Sequence, residues 1–121
     1  MTEDMKIIDI PEALNRAMGD IDFLKTMMEE LQRTIPGFVA RIRQAMHSAD
    51  LETLGKESHQ FKGAAANLGA KDLAHAALKL EQIGKSGEIE RAAEAFTQLE
   101  KSAAAFNQFL GRLDWSSIST R

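Results

Sequence analysis

The chain has 121 residues, 44% apolar and 27% charged, with a formal net charge of −3. This is enough for one domain with one core, and it is not the composition of a disordered polar segment. Without Cys there is no disulfide or thiolate–zinc site, the net acidity argues against a nucleic-acid surface, and no apolar run nears the ~18 residues of a membrane span.

Met1-Thr2-Glu3-Asp4 is acidic and lacks the apolar stretch of a signal peptide, so the expected compartment is the cytoplasm. Eighteen Ala, one Val, no Tyr and two Pro favour helices over sheets. Asp9-Ile10-Pro11 opens a first short helix, with Asp9 as cap and Pro11 in the first turn, and Gly19 ends it. Asp20 caps a long second helix striped with Leu24, Met28, Leu31, Ile35, Phe38, Ile42 and Ala45. Pro36 inside it predicts a kink near Arg33–Pro36. Asp50 caps a third helix with the stripe Leu51, Leu54, Ser58, Phe61, Ala65 and Leu68, and Gly69 supplies a left-handed stop. A fourth helix turns Leu73, Ala77, Leu80 and Ile83 inward and is predicted to end at Gly84. Glu88 and Glu90 put negative charge at the start of a fifth, striped with Ile89, Ala92, Phe96, Leu99, Ala103, Phe106, Leu110 and Leu113. The expected fold is all-α, an antiparallel four-helix bundle over residues 1–113, with the short first helix capping its open end through Leu14 and Met18. Residues 114–121, rich in Ser, read as a flexible tail.

The third helix carries the chemistry. At about 100° per residue, Leu54, Phe61, Ala65 and Leu68 fall on one side and His59 falls nearly opposite. The same outward face holds Glu52, Gly55, Gly63, Ala66 and, at its edge, Lys62. An ordinary solvated face would carry Glu, Lys and Gln. Two interior glycines together cost about 1–2 kcal/mol against Ala, and what they provide is clearance around the imidazole. Lying opposite the apolar stripe, they read as clearance and not as close packing. A lone exposed His is by itself ordinary surface, but a neutral imidazole is also a good nucleophile near pH 7. Lys62 places a cation beside it, as an incoming phosphoryl group requires. No paired acids flank the His, no Gly-rich phosphate loop is present, and His47, His59 and His75 lack metal-ligand spacing. His75 reads as surface, His47 as a cation at a helix end, and Met27, Met28 and Met46 as core filler.

The run Ser58-His59-Gln60-Phe61-Lys62-Gly63-Ala64-Ala65-Ala66-Asn67-Leu68-Gly69 resembles the phosphoacceptor segment of histidine-containing phosphotransfer (HPt) domains. That pattern is a small residue, His, any residue, an apolar residue, Lys, Gly and small residues, then an apolar residue and Gly. Asp50 and Leu80-Glu81 also look like family positions, and the resemblance spans roughly residues 20 to 110. It implies that His59 is phosphorylated, that Lys62 stabilises the phosphoryl group, and that Gly63 leaves room for a partner's active site. It further implies a phosphocarrier and not an enzyme, without autokinase activity, moving phosphate between aspartates of response-regulator receiver domains, with a hybrid histidine kinase as a further partner. No cofactor or metal of its own is implied, because the receiver supplies Mg²⁺. Gly55, Gly63, Ala66, Glu81 and Gln82 are the expected partner-docking residues. Two positions depart from the family. Ser58 stands where Ala is commoner, a small swap expected at the core edge, and Glu81 aligns where some members hold Gln.

Residues 1–30 carry eight acids and three bases, a sum of −5, whereas residues 31–86 carry eight bases and five acids, a sum of +3. The His-bearing part is therefore the basic one, as suits an acidic partner site. Two other readings compete. A dimerisation domain of a histidine kinase would resemble His-Glu-x-Arg/Lys-x-Pro, but Gln60 follows His59, and Gly63-Ala64 stand where Pro would follow. Such domains are dimers, while a monomer is expected here. A bundle that docks receivers without accepting phosphate is the other alternative. The start and the short tail favour a free-standing protein.

Overall fold

Short acidic side chains start three of the helices. Asp9, Asp20 and Asp50 each accept a hydrogen bond from the backbone N–H three residues on, at 3.2, 3.0 and 3.1 Å. In the computed structural model, which describes residues 3–118, they cap α2 (Ile10–Arg16), α3 (Ile21–His47) and α4 (Leu51–Asn67). α1 (Glu3–Ile7) precedes them; α5 (Lys71–Ser86) and α6 (Ala92–Arg112) follow. Single 3₁₀ turns occupy Ile89–Arg91 and Trp115–Ser117. The left-handed residues Gly69 (φ 71°) and Gly87 (φ 80°) turn the chain after α4 and α5.

The four long helices form the antiparallel bundle: α3 packs on α4, α4 on α5, α5 on α6, and α6 closes on α3. Its core is the set of stripes read from the sequence, with Leu24, Met28, Ile42, Leu54, Phe61, Leu73, Leu80, Leu99 and Phe106 all buried. Phe61 stacks on Phe38 with ring centroids 4.8 Å apart. α3 continues as helix through Pro36, which is exposed. No helix among the described residues is long and apolar enough to cross a membrane.

The N-terminal segment closes the end of the bundle where α4 turns into α5. The Asp9 N–H donates to the Gly69 carbonyl at 2.9 Å, Lys71 pairs with Asp9 at 3.1 Å, and Ile8 is buried. Leu14 is buried as expected, but Met18 is not. It has φ 58° and is 88% exposed, because the chain reverses there into α3. α1 is a further addition, one short turn of helix packed against α5 and α6.

Three boundaries differ from the sequence reading. α5 runs past Gly84 to Ser86, because Gly87 is the residue with positive φ and Gly84 lies inside the helix. Ile89 belongs to a 3₁₀ turn ahead of α6. Regular structure also extends beyond residue 113: Asp114 caps a last 3₁₀ turn, and Trp115 and Ile118 pack against the core. Residues 119–121 of the expected tail lie outside the described residues.

Candidate functional site

α4 carries His59 and Lys62 one helical turn apart, and α5 runs alongside it as its most extensively packed neighbour. Across that contact α5 inserts Glu81, whose side chain is 4% exposed. His59 Nδ1 lies 2.8 Å from Glu81 Oε2, and Lys62 Nζ donates to Glu81 Oε1 at 2.6 Å. Lys85, one turn further along α5, brings its Nζ to 3.4 Å from Oε2. A buried carboxylate is thus held by three nitrogen groups from two helices, which answers the cost of removing it from water. The Lys62 ammonium, donating to Glu81, holds its carboxyl far below the ordinary range, at about 2. Burial pulls the other way, and His59 and Lys85 add to the lowering.

This charge state fixes the imidazole. An ionised carboxylate only accepts hydrogen bonds, so Nδ1 must be the protonated nitrogen. In the neutral ring the lone pair is then on Nε2, and the side chain is 65% exposed. The arrangement is a nucleophilic nitrogen with its tautomer set by a buried anion and a half-buried lysine beside it.

The glycines on this face divide. A Cβ built at Gly63 would meet nothing within 4 Å, and Gly63 is exposed, so it leaves open space one turn beyond His59. Gly55 does not act in the same way. A Cβ at Gly84 would lie 2.7 Å from the Gly55 Cα and N, and 3.0 Å from the Leu51 carbonyl. Gly55 and Gly84 therefore mark the closest approach of α4 to α5, and the clearance reading is corrected at Gly55. It is the absent side chain of Gly84, packed on the Gly55 backbone, that lets the helices come this close and brings Glu81 within reach of His59.

The remaining expected residues separate likewise. Ala66 is exposed, and with Lys62, Lys71 and His75 it lines a shallow depression on one flank of α4. His59 and Gln60 share another with Glu52, Gly55, Lys56, Gly84 and Lys85. Glu81 is too buried to be a docking residue and acts from behind the imidazole. Gln82 is exposed but lines a different cleft, between α5 and α6 with Lys79, Ile83 and Gln98, and is not brought to His59. Ser58 is not at the core edge. It is fully buried, and its hydroxyl has no hydrogen-bond partner among the described residues. Lys85 was missed in the sequence, although its place four residues after Glu81 is the spacing of a helical ion pair. Glu81 itself had a signal: Ala77, Leu80, Glu81 and Gly84 follow the 3–4 spacing of a buried stripe. Among the described residues no group of three or more His, Asp or Glu is placed to hold a metal ion.

The sequence matches the Hpt domain family over residues 22–109, most of the chain. The chain belongs to the Hpt domain family. Hpt domains are phosphotransfer carriers of phosphorelay signalling, and the fold of solved Hpt domains covers about nine-tenths of this chain. Its structure resembles histidine-containing phosphotransfer protein B (HptB) from Pseudomonas aeruginosa PAO1, with a TM-score of 0.77 and 23% identity, covering 89% of this chain and 97% of that one. It also resembles the HPT domain of the Hpt sensor hybrid histidine kinase from Shewanella, with a TM-score of 0.71 and 21% identity, covering 91% and 98%. No protein of curated function matches the sequence. The Hpt match contains His59, Lys62, Gly63 and Glu81 within its bounds.

Proposed function

We propose that this Hpt domain is a cytoplasmic, monomeric phosphocarrier that accepts a phosphoryl group on His59 from a receiver-domain aspartate and passes it to another receiver. The observation that carries this reading is the hydrogen bond from His59 Nδ1 to the buried Glu81 carboxylate, which leaves Nε2 as the free nucleophile. In the transfer, the Nε2 lone pair forms the P–N bond while the P–O bond to the aspartate breaks, and the carboxylate leaves with that electron pair. Nδ1 keeps its proton, so the phosphorylated ring is cationic and stays paired with Glu81. Lys62 supplies positive charge to the phosphoryl oxygens, and Gly63 lets the receiver's acidic pocket approach. The receiver brings the Mg²⁺, and the chain needs no cofactor or kinase activity of its own. One structural relative is a domain of a hybrid histidine kinase, and such a kinase fits as a source of the phosphoryl group.

The test is phosphosite mapping after mixing the chain with receiver domains charged by a small phosphodonor, with His59→Gln alongside. The expected result is acid-labile phosphate on His59 alone, with His47 and His75 unmodified as internal controls. Phosphate on another histidine would overturn the assignment of His59, and binding of receivers without any transfer would replace this reading with that of a docking bundle.

A further inference from the structure

In the resting site Lys62 is not a free cation. Its ammonium is engaged with Glu81 Oε1 at 2.6 Å. When a phosphoryl group arrives on Nε2, the Lys62 charge is divided between that group and the carboxylate. Glu81, 4% exposed, cannot make up the loss with water. One other cation touches the same carboxylate. Lys85 lies 3.4 Å from Oε2, the oxygen that also holds His59 Nδ1, and it reaches in from solvent with its side chain 75% exposed.

The formal charges point the same way. Glu81 contributes one negative charge, Lys62 and Lys85 one positive charge each, and the neutral ring none, so the resting cluster has one positive charge in excess. The unit moved from aspartate to a ring nitrogen is PO₃ with one negative charge, since the leaving carboxylate keeps the P–O bonding pair and Nδ1 keeps its proton. The phosphorylated cluster is then neutral with Lys85 present and negative without it.

We propose that Lys85 is a positioning residue for phosphoryl transfer, holding the Glu81 carboxylate, and through it the His59 ring, while Lys62 turns to the phosphoryl group. This role rests on the assignment of His59 as phosphoacceptor, and the experiment separates the two. The full chain is phosphorylated with phosphoramidate, so that no partner is needed. Nε2 attacks phosphorus, the donor P–N bond breaks, and ammonia leaves. Phosphohistidine is then followed by ³¹P NMR, with the site mapped by mass.

Lys85→Gln is expected to shorten the phosphohistidine half-life about threefold, the upper part of the range for an exposed partner charge. Lys85→Arg should restore it, and Lys79→Gln, an exposed charge on the same helix, should leave it unchanged. In a Glu81→Gln background, Lys85→Gln should have no further effect, because Lys85 acts through that carboxylate. An equal loss in both backgrounds would mean direct contact with the phosphoryl group and would overturn the positioning role, as would an unchanged half-life in Lys85→Gln. If Glu81→Gln does not fold, the imidazole ¹⁵N spectrum of phosphorylated Lys85→Gln decides: a changed Nδ1 signal is expected if Lys85 acts through Glu81, and an unchanged one would overturn the positioning role. A wild-type chain that takes no phosphate on His59 removes the function and this role with it. Uptake on His59 with an indifferent Lys85 removes this role only.

Discussion

Two residues beside the imidazole each cost the fold stability, and each can be changed singly. Ser58, next to His59, is fully buried, and its hydroxyl has no partner among the described residues. A buried polar group without a partner costs on the order of 1 kcal/mol or more, and Ala is also the better helix former. Ser58→Ala should therefore raise stability by about 1 kcal/mol and the melting temperature by about 4 °C. Thermal unfolding followed by circular dichroism checks this, and a lower melting temperature would mean that the hydroxyl has a partner in solution. Gly63 is the converse case, a glycine in mid-helix whose missing side chain faces open space. Gly63→Gln should gain about 0.5–1 kcal/mol of helix stability. Its transfer rate with a charged receiver should nonetheless fall about tenfold or more, since a small displacement of reacting atoms is costly. With phosphoramidate, which needs no macromolecular approach, its rate should stay close to wild type. A receiver-dependent rate equal to wild type would refute the clearance argument.

At the scale of the elements, the α4–α5 contact sets the distance between the His59 ring and the buried Glu81 carboxylate, and two glycines mark the contact. Their roles are unequal. A Cβ at Gly84 meets backbone atoms at 2.7 Å, which cannot rotate away, whereas a Cβ at Gly55 meets nothing closer than 3.8 Å. Gly84→Ala should push the helices apart and destabilise the fold by about 1–3 kcal/mol. Gly55→Ala should be tolerated or slightly stabilising. Urea unfolding of the two variants gives the comparison, and equal effects would show that the close approach is not maintained in solution. Much of the helix layout was legible because its causes are local. Asp9, Asp20 and Asp50 precede apolar stripes and cap them, and Gly69 falls where a left-handed residue is needed. His59, Lys62 and Gly63 were legible for the same reason, as neighbours on one helix. Gly55, Gly84 and Lys85 were not, because each takes its meaning from a partner on another helix or from a buried group. Gly84 imitates a helix stop in sequence, and only the facing Gly55 shows that it is a contact point. Met18 does not join Leu14 in capping the bundle, because α2 ends at Arg16 and Met18 lies in the turn that follows.

Across the whole molecule, three carboxylates sit at joints between helices, and all three are held below their ordinary values. Asp9, at the N-terminal closure, is lowered by the Glu12 backbone N–H, with help from Lys71 and against its burial. Asp50, at the α3–α4 turn, is lowered by the Thr53 hydroxyl and backbone N–H. Glu81, between α4 and α5, is lowered to about 2 by Lys62 first. A carboxyl whose folded value lies below its unfolded value binds fewer protons when folded. Its contribution is complete above the unfolded value and is lost as pH falls through the folded one. For Glu81 that window runs from the ordinary value of 4.5 down to about 2. Stability measured by urea unfolding should therefore fall as pH is lowered through this range. In Glu81→Gln, which has no proton to take up at this joint, the fall should be distinctly shallower. The same acidification protonates the anion that fixes the His59 tautomer, so loss of stability and loss of the Nδ1–H···Glu81 bond should follow one another in ¹⁵N spectra of the imidazole. Parallel pH profiles for the wild type and Glu81→Gln would show that Glu81 titrates as it does in the unfolded chain, and that the three nitrogen groups around it do not hold it.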